Sequence, residues 1–337
     1  MNTTKSAGHQ LGSREVTRRR FLARVAQAAV ATSATQAALT LRASAGEKKR
    51  STPIVDSHMH VWSGDPKKYP FDPPYSKHFT PPELAGTQEM LLEEMDAFGI
   101  DYCVLVQVIY HGWDNRYVVD CVKAHPKRFR GQGLIDPTDP KVADKLDDWV
   151  REQGLSGMRF SPIYYRGKDE WLNAESSVPL WKKARELGAI FNFFIETTQL
   201  PRLEDMIRRF PEVPVAIDHF ARIDLNLGDP LPEFKKLLRL ARYPNVYAKV
   251  SELSVISPSG VYPYEDTFAW VKRLYDAFGP DRLMWGTGFP GATRTANGRP
   301  TLEQELALIR SEVPFFDAED RSKILGETAA KLWGFTS

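Results

Sequence analysis

Eight times between residues 54 and 313 a short apolar run is followed by a longer stretch of helical period, and this alternation limits the possible folds more than any other feature. The runs are IVDSH (54–58), YCVLVQVI (102–109), FRGQGLID (129–136), SGMRF (156–160), AIFNFFI (189–195), VPVAIDH (213–219), VYAKVSEL (246–253) and RLMWGTG (282–288). They are rich in Val, Ile and Phe and apolar on both faces, as parallel strands covered on both sides must be. Helical stretches follow at 88–99, 115–126, 140–154, 178–188, 199–211, 232–244, 264–279 and 301–313, and a last helix is expected over 317–335. Gly99, Gly154, Gly188 and Gly279 stand where helices should stop, just before the next run. Eight such units predict an α/β fold, a (β/α)8 TIM barrel. A doubly wound open sheet is the alternative, but no glycine-rich phosphate loop follows any run.

The first 45 residues stand apart. Thr17-Arg18-Arg19-Arg20-Phe21-Leu22 resembles the bacterial twin-arginine export motif, an Ala-rich stretch follows, and Ala43-Ser44-Ala45 offers small residues for cleavage. Residues 1–45 are therefore expected to be a signal peptide and residues 46–337 the barrel domain. The partner implied is the twin-arginine export machinery, and the location periplasmic or extracellular. Seven of the 45 Lys and Arg but only one of the 43 Asp and Glu lie in that leader, so the slightly basic total of +2 belongs to it. The mildly acidic remainder gives no reason to expect nucleic acid. It contains no apolar run of membrane-spanning length, about 20 residues. A small-molecule substrate is the expected partner. Cys103 and Cys121, in an apolar run and a helix, read as buried free thiols rather than a disulfide framework.

In a barrel, chemistry stands at the C-terminal ends of the strands. The first strand ends in His58 and His60, which project to the same side because side chains alternate along a strand. Gln107 and His111 stand near the end of the second, Arg159 ends the fourth, and Glu196 follows the fifth. Asp218 and His219 end the sixth, Lys249 and Glu252 lie on the seventh, and WGTGFPG (285–291) ends the eighth. His58, His60 and His219 converge as neutral imidazoles able to hold a divalent metal ion such as zinc. Arg159 is costly to bury without an anionic partner, either a carboxylate of the protein or one of a substrate. Lys249 is either ion-paired or directed into the mouth. Gln107 and Tyr164 are further candidate substrate contacts, with Tyr165 and Arg166 in the same loop. The Pro- and aromatic-rich segment 63–82, which carries His78, is expected over the mouth. His125, at a helix end, reads as a surface residue.

DSHMHVW, VLVQVIYHGWDN, HPKRFRGQGLIDP, GMRF, VAIDHFA, NVYAKVSEL, RLMWGTGFP and ILGETAAKLWGF, in order over residues 53–335, resemble the amidohydrolase superfamily. The likeness is to its amidohydrolase-2 (amidohydrolase-related) group, in the branch with 2-pyrone-4,6-dicarboxylate lactonase and fuconolactonase. The resemblance implies a hydrolase acting on a lactone or similar cyclic ester of a sugar acid or pyrone carboxylate. His58 and His60 match the strand-1 pair, His219 the strand-6 histidine, and Arg159 a substrate-carboxylate contact. It leaves open whether a divalent metal is bound, since this branch often works without one. One position departs. The family's strand 8 ends in Gly-Ser/Thr-Asp-x-Pro, whose aspartate is metal ligand and general base. Here the frame reads Gly286-Thr287-Gly288-Phe289-Pro290. Four readings follow: a replacement base, with Glu252 or Glu196 nearest by strand position; metal-assisted hydrolysis with three histidines; a non-catalytic ligand-binding barrel; or a decarboxylase or lyase of the same superfamily.

Overall fold

The computed structural model describes residues 52–75 and 79–336, so the leader and His78 lie outside the described residues. The strands are β1 (Val55–Met59), β2 (Tyr102–Val106), β3 (Phe129–Leu134), β4 (Gly157–Phe160), β5 (Ile190–Phe193), β6 (Val215–Ile217), β7 (Val246–Val250) and β8 (Leu283–Trp285). They pair in sequence order, all parallel. A parallel bridge between Met59 and Gly288 joins the ends of β1 and β8, with the His60 N–H donating to the Gly288 carbonyl at 2.8 Å. That closure excludes the open sheet and establishes the (β/α)8 barrel.

Each expected helical stretch contains a helix: α1 (Gln88–Phe98), α2 (Arg116–Ala124), α3 (Val142–Asp147), α4 (Val178–Leu187), α5 (Leu200–Arg209) and α6 (Leu231–Arg239). After β7 a short α7 (Leu253–Ile256) precedes α8 (Phe268–Phe278), and after β8 a short α9 (Ala292–Ala296) precedes α10 (Leu302–Ala307). The two short helices are insertions at the mouth that periodicity over so few residues could not reveal. The closing helix is divided into α11 (Ala318–Ser322) and α12 (Thr328–Trp333), joined by a wider helical turn. Local chemistry sets the ends. Thr87 caps α1 by accepting from the Met90 N–H, and Gly99 ends it at φ 66°, where a Cβ would be strained. Thr301 and Gln304 form a reciprocal capping box on α10.

Side chains facing the helices form the larger apolar core, including Phe160, Trp181, Phe191 and Phe193. A second cluster, including Val55, Val104, Val106, Ile190, Ala216, Met284 and Trp333, lines part of the barrel interior. Cys103 and Cys121 are buried free thiols, as expected. Among the described residues no helix is long and apolar enough to cross a membrane.

Candidate active site at the barrel mouth

β1 shifts register between Asp56 and Met59; His58 lies within that irregularity and His60 follows the strand directly. Their Nε2 atoms approach to 3.4 Å, so the i, i+2 spacing does bring them together. The His60 Nδ1 lies 2.8 Å from the Val106 carbonyl. A carbonyl only accepts, so Nδ1 carries the proton and Nε2 keeps its lone pair. The His58 Nδ1 faces the Lys249 Nζ at 3.1 Å and Asp218 Oδ1 at 3.4 Å.

His219 arrives by an unusual backbone. His219, Phe220, Ala221 and Arg222 have φ of 49°, 55°, 50° and 50°, a complete left-handed turn without a glycine. Each such residue costs about 1–2 kcal/mol, which packing elsewhere must offset. The turn sets His219 beside His58, with ring centroids 4.4 Å apart, and its Nδ1 2.8 Å from Ser251 Oγ. It also carries Arg222 onto Glu252 at 2.8 Å. Glu252 is itself left-handed at φ 59° and is held a second time by Arg299 at 2.9 Å. One carboxylate therefore ties together the loops after β6, β7 and β8.

Asp218 is the hub beneath the histidines. It pairs with Lys249 at 3.0 Å and with the Arg159 Nε at 3.2 Å, and both Asp218 and Lys249 are fully buried. Burial pushes the Asp218 carboxyl up, but Lys249, His58 and Arg159 outweigh it and hold it well below the usual carboxylate range. Burial, reinforced by the Lys249 charge, holds His58 well below its ordinary value. His60 and His219 are both lowered to about 3, chiefly by burial, with Arg159 adding to the effect at each. The imidazoles are therefore neutral at pH 7. Burial raises Glu252, yet His219, Arg299 and Arg222 together bring it below its ordinary value.

The expected contacts divide. Arg159 lies over the Phe194 ring at 4.6 Å with only its Nε on Asp218, and its two terminal nitrogens have no hydrogen-bond partner among the described residues. Lys249 is not in the mouth but behind the histidines, because alternation along β7 turns it into the closed interior. Gln107 is fully buried and donates to the Asp114 carbonyl at 2.8 Å, which ties down the loop after β2. Tyr164 stands at the rim, 47% exposed and stacked on Tyr75. Glu196 is bound to Arg166 at the same rim, away from the histidines. His111 braces the loop over the mouth through the Ser63 N–H and the Pro70 carbonyl, and His125 ends α2. A cleft of about 420 Å³ beside the mouth, between Trp113 and Trp149, contains none of the cluster residues.

Among the described residues, the compact donor set that could hold a metal is His58, Asp218 and His219, whose ligand atoms lie within 4.8 Å of one another. It includes Asp218, which was not in the expected set, and omits His60. The cations Arg222 and Arg299 were also not anticipated. Both come from loops whose course no local pattern encodes.

Gly288 has φ 122°, and a Cβ there would meet nothing within 4 Å. The side chain expected from the resemblance is absent, and the backbone has also taken a conformation that suits only glycine.

A family model described as amidohydrolase matches residues 55–335. The chain is 31% identical over 298 residues to a 4-sulfomuconolactone hydrolase of Rhizobium radiobacter, covering 86% of this chain and 95% of the relative. It is 30% identical over 296 residues to a 2-pyrone-4,6-dicarboxylate hydrolase of Comamonas testosteroni, covering 83% and 89%. A crystal structure of a probable 2-pyrone-4,6-dicarboxylic acid hydrolase from Acinetobacter baumannii, with citric acid bound, superposes with a TM-score of 0.68 at 21% identity. It covers 84% of this chain and 99% of that one, a likeness of fold.

Proposed function

The chain belongs to the amidohydrolase family, and from that premise we propose that it is a hydrolase opening the ring ester of a small anionic lactone, one bearing carboxylate or sulfonate. One observation carries the anionic preference. Arg159 is fixed by Asp218 and Phe194 at the site, with its terminal N–H groups free of hydrogen-bond partners among the described residues. A guanidinium so held presents a fork that matches a carboxylate. Among the described residues, Arg159, Arg222 and Arg299 face Glu252 and Asp218, the latter already paired with the buried Lys249, so the mouth is cationic and draws an anion in.

Water adds to the lactone carbonyl, the ring C–O bond breaks, and the hydroxy acid forms as a carboxylate with release of one proton. His60 and His58, whose Nε2 atoms meet at 3.4 Å, line the place of the carbonyl. We assign the water proton to His219, whose Nε2 lies 4.0 Å from Glu252 Oε1. Glu252, clamped by two arginines, is a fixed anion that stabilises the imidazolium rather than the base itself. The resting imidazole is a poor base because it is buried among cations. A substrate carboxylate beside Arg159 offsets that charge and raises its basicity.

The donors also fit a divalent ion. His58 Nε2 and His60 Nε2 stand at 3.4 Å, the separation expected for two imidazoles about 2.0–2.1 Å from one tetrahedral zinc. Among the described residues His58, Asp218 and His219 are the compact donors that would hold it, with His60 beside them. Such an ion, when bound, would polarise the carbonyl or lower the pKa of its water to about 7.

The test is proton release across pyrone dicarboxylate, sulfomuconolactone and an uncharged sugar lactone. The anionic lactones should be preferred by at least 100-fold in kcat/KM. Saturable binding without turnover would mean a ligand-binding barrel, and preference for the uncharged sugar lactone would overturn the anionic reading.

A further inference from the structure

The interior of the barrel contains polar side chains that the catalytic cluster does not use. Cβ atoms placed on Gly131 and Gly133 would meet Leu155, Val118 and Asn115 on the helix side, so Gln132 between them faces the interior. Phe191 and Phe193 pack outward on Phe160 and Trp181, so Asn192 between them faces inward. On β7, Ala248 and Val250 belong to the outer core and Lys249 points in.

The register puts these three side chains on one level. Gln132 pairs through Gly157 with Ile190, and Asn192 lies two residues further along. Asn192 pairs through Ala216 with Tyr247, and Lys249 again lies two residues further. In a tilted eight-stranded barrel alternate strands supply one layer, and that layer is ordinarily filled by branched apolar residues. Here three of its four places are Gln, Asn and Lys. The intervening strands contribute Gly157 on β4 and Ala216 on β6, beside Val106 on β2 and Met284 on β8.

Five atoms in this space have no hydrogen-bond partner among the described residues: Gln132 Nε2 and Oε1, Asn192 Nδ2 and Oδ1, and Trp333 Nε1. Gln132 and Asn192 are both fully buried. Trp333 closes the space from below, with its ring 5.7 Å from the Lys249 Nζ. Lys249 has three N–H groups, of which Asp218 and His58 take two. Leaving five buried polar atoms bare would forfeit free energy rivalling the net stability of a domain.

We propose that the barrel interior is a buried water-binding site. It holds about two ordered waters that bridge the Gln132 and Asn192 amides to the third Lys249 N–H and the Trp333 indole N–H, each making about three bonds. The ligand is neutral water, which can both donate to the two amide oxygens and accept from the amide, indole and ammonium N–H groups. These waters form the floor on which the Lys249–Asp218 pair rests.

Magnetic relaxation dispersion of water oxygen-17 counts long-lived internal waters in the intact protein. Wild type should show about two more than a Gln132→Met/Asn192→Leu variant, whose apolar side chains neither need nor admit them. An equal count in a folded variant would overturn the proposal. A crystal structure of the wild type tests it without any variant. Solvent peaks within hydrogen-bond distance of Asn192 Nδ2 and Gln132 Oε1 support it. The two amides bonded directly to each other with no peak between them refute it, as does a halide ion at that place.

Discussion

Replacing Lys249 with methionine keeps most of the side-chain volume and removes one charge from the centre of the protein. The ammonium lies 3.0 Å from Asp218 Oδ1 and 3.1 Å from the His58 Nδ1. At an effective dielectric of about 20 a pair at that distance attracts by roughly 5 kcal/mol. Part of this is returned because the buried ammonium no longer has to be desolvated. Removing one partner of a buried pair costs about 3–5 kcal/mol, since the other charge is left under-compensated. Lys249→Met should therefore destabilise by about 3–5 kcal/mol in urea unfolding followed by tryptophan fluorescence. Lys249→Met/Asp218→Asn removes both charges and should return to within about 1 kcal/mol of wild type. Activity should behave differently. Both variants remove the ammonium from the His58 Nδ1, so kcat should fall more than 100-fold in each. A single variant costing under about 1 kcal/mol, or a double variant no more stable than the single, would refute the hub assignment.

Arg159→Met should lower kcat/KM for anionic lactones at least 100-fold while changing that for an uncharged lactone less than threefold, measured by proton release. Gly288→Asp should not improve turnover; it should instead destabilise by about 1–3 kcal/mol, because φ 122° strains any side chain and the Gly288 carbonyl holds the His60 N–H. Glu305 on α10 is buried and its carboxyl is raised to about 8, chiefly by burial, from the ordinary 4.5. The folded state keeps a proton that the unfolded chain releases, so stability falls as pH rises from about 4.5 to about 8, by up to roughly 5 kcal/mol. Glu305→Gln should flatten that fall in urea titrations at several pH values, and an unchanged slope would count against it. Fusion of residues 1–45 to a reporter should carry it across the inner membrane only when Arg18 and Arg19 are intact, as read by cell fractionation.

The fold was legible in the sequence because its signals are local. Each strand is a short run apolar on both faces and each helix a stretch with its own period and stop, so eight units could be counted residue by residue. His58 and His60 were legible for the same reason, since alternation within one strand aims both. The roles of Lys249, Asp218 and Glu252 were not. Lys249 meets a histidine 191 positions away, and Arg159 meets an aspartate 59 positions away. Which residues meet depends on the stagger of strands around a closed barrel. Lys249, read as facing the mouth or an ion partner, took the partner because β7 turns it inward at the level of Asp218. Glu252, read as a replacement base, is held by two arginines because a left-handed turn at 219–222 and the loop after β8 each bring one to it. Sequence alone determined the barrel and the residue types at its mouth, because pattern and propensity act over a few neighbours. Only the tertiary structure decided which charges are paired and which remain free for a substrate, because that depends on distances set by closure of the whole sheet.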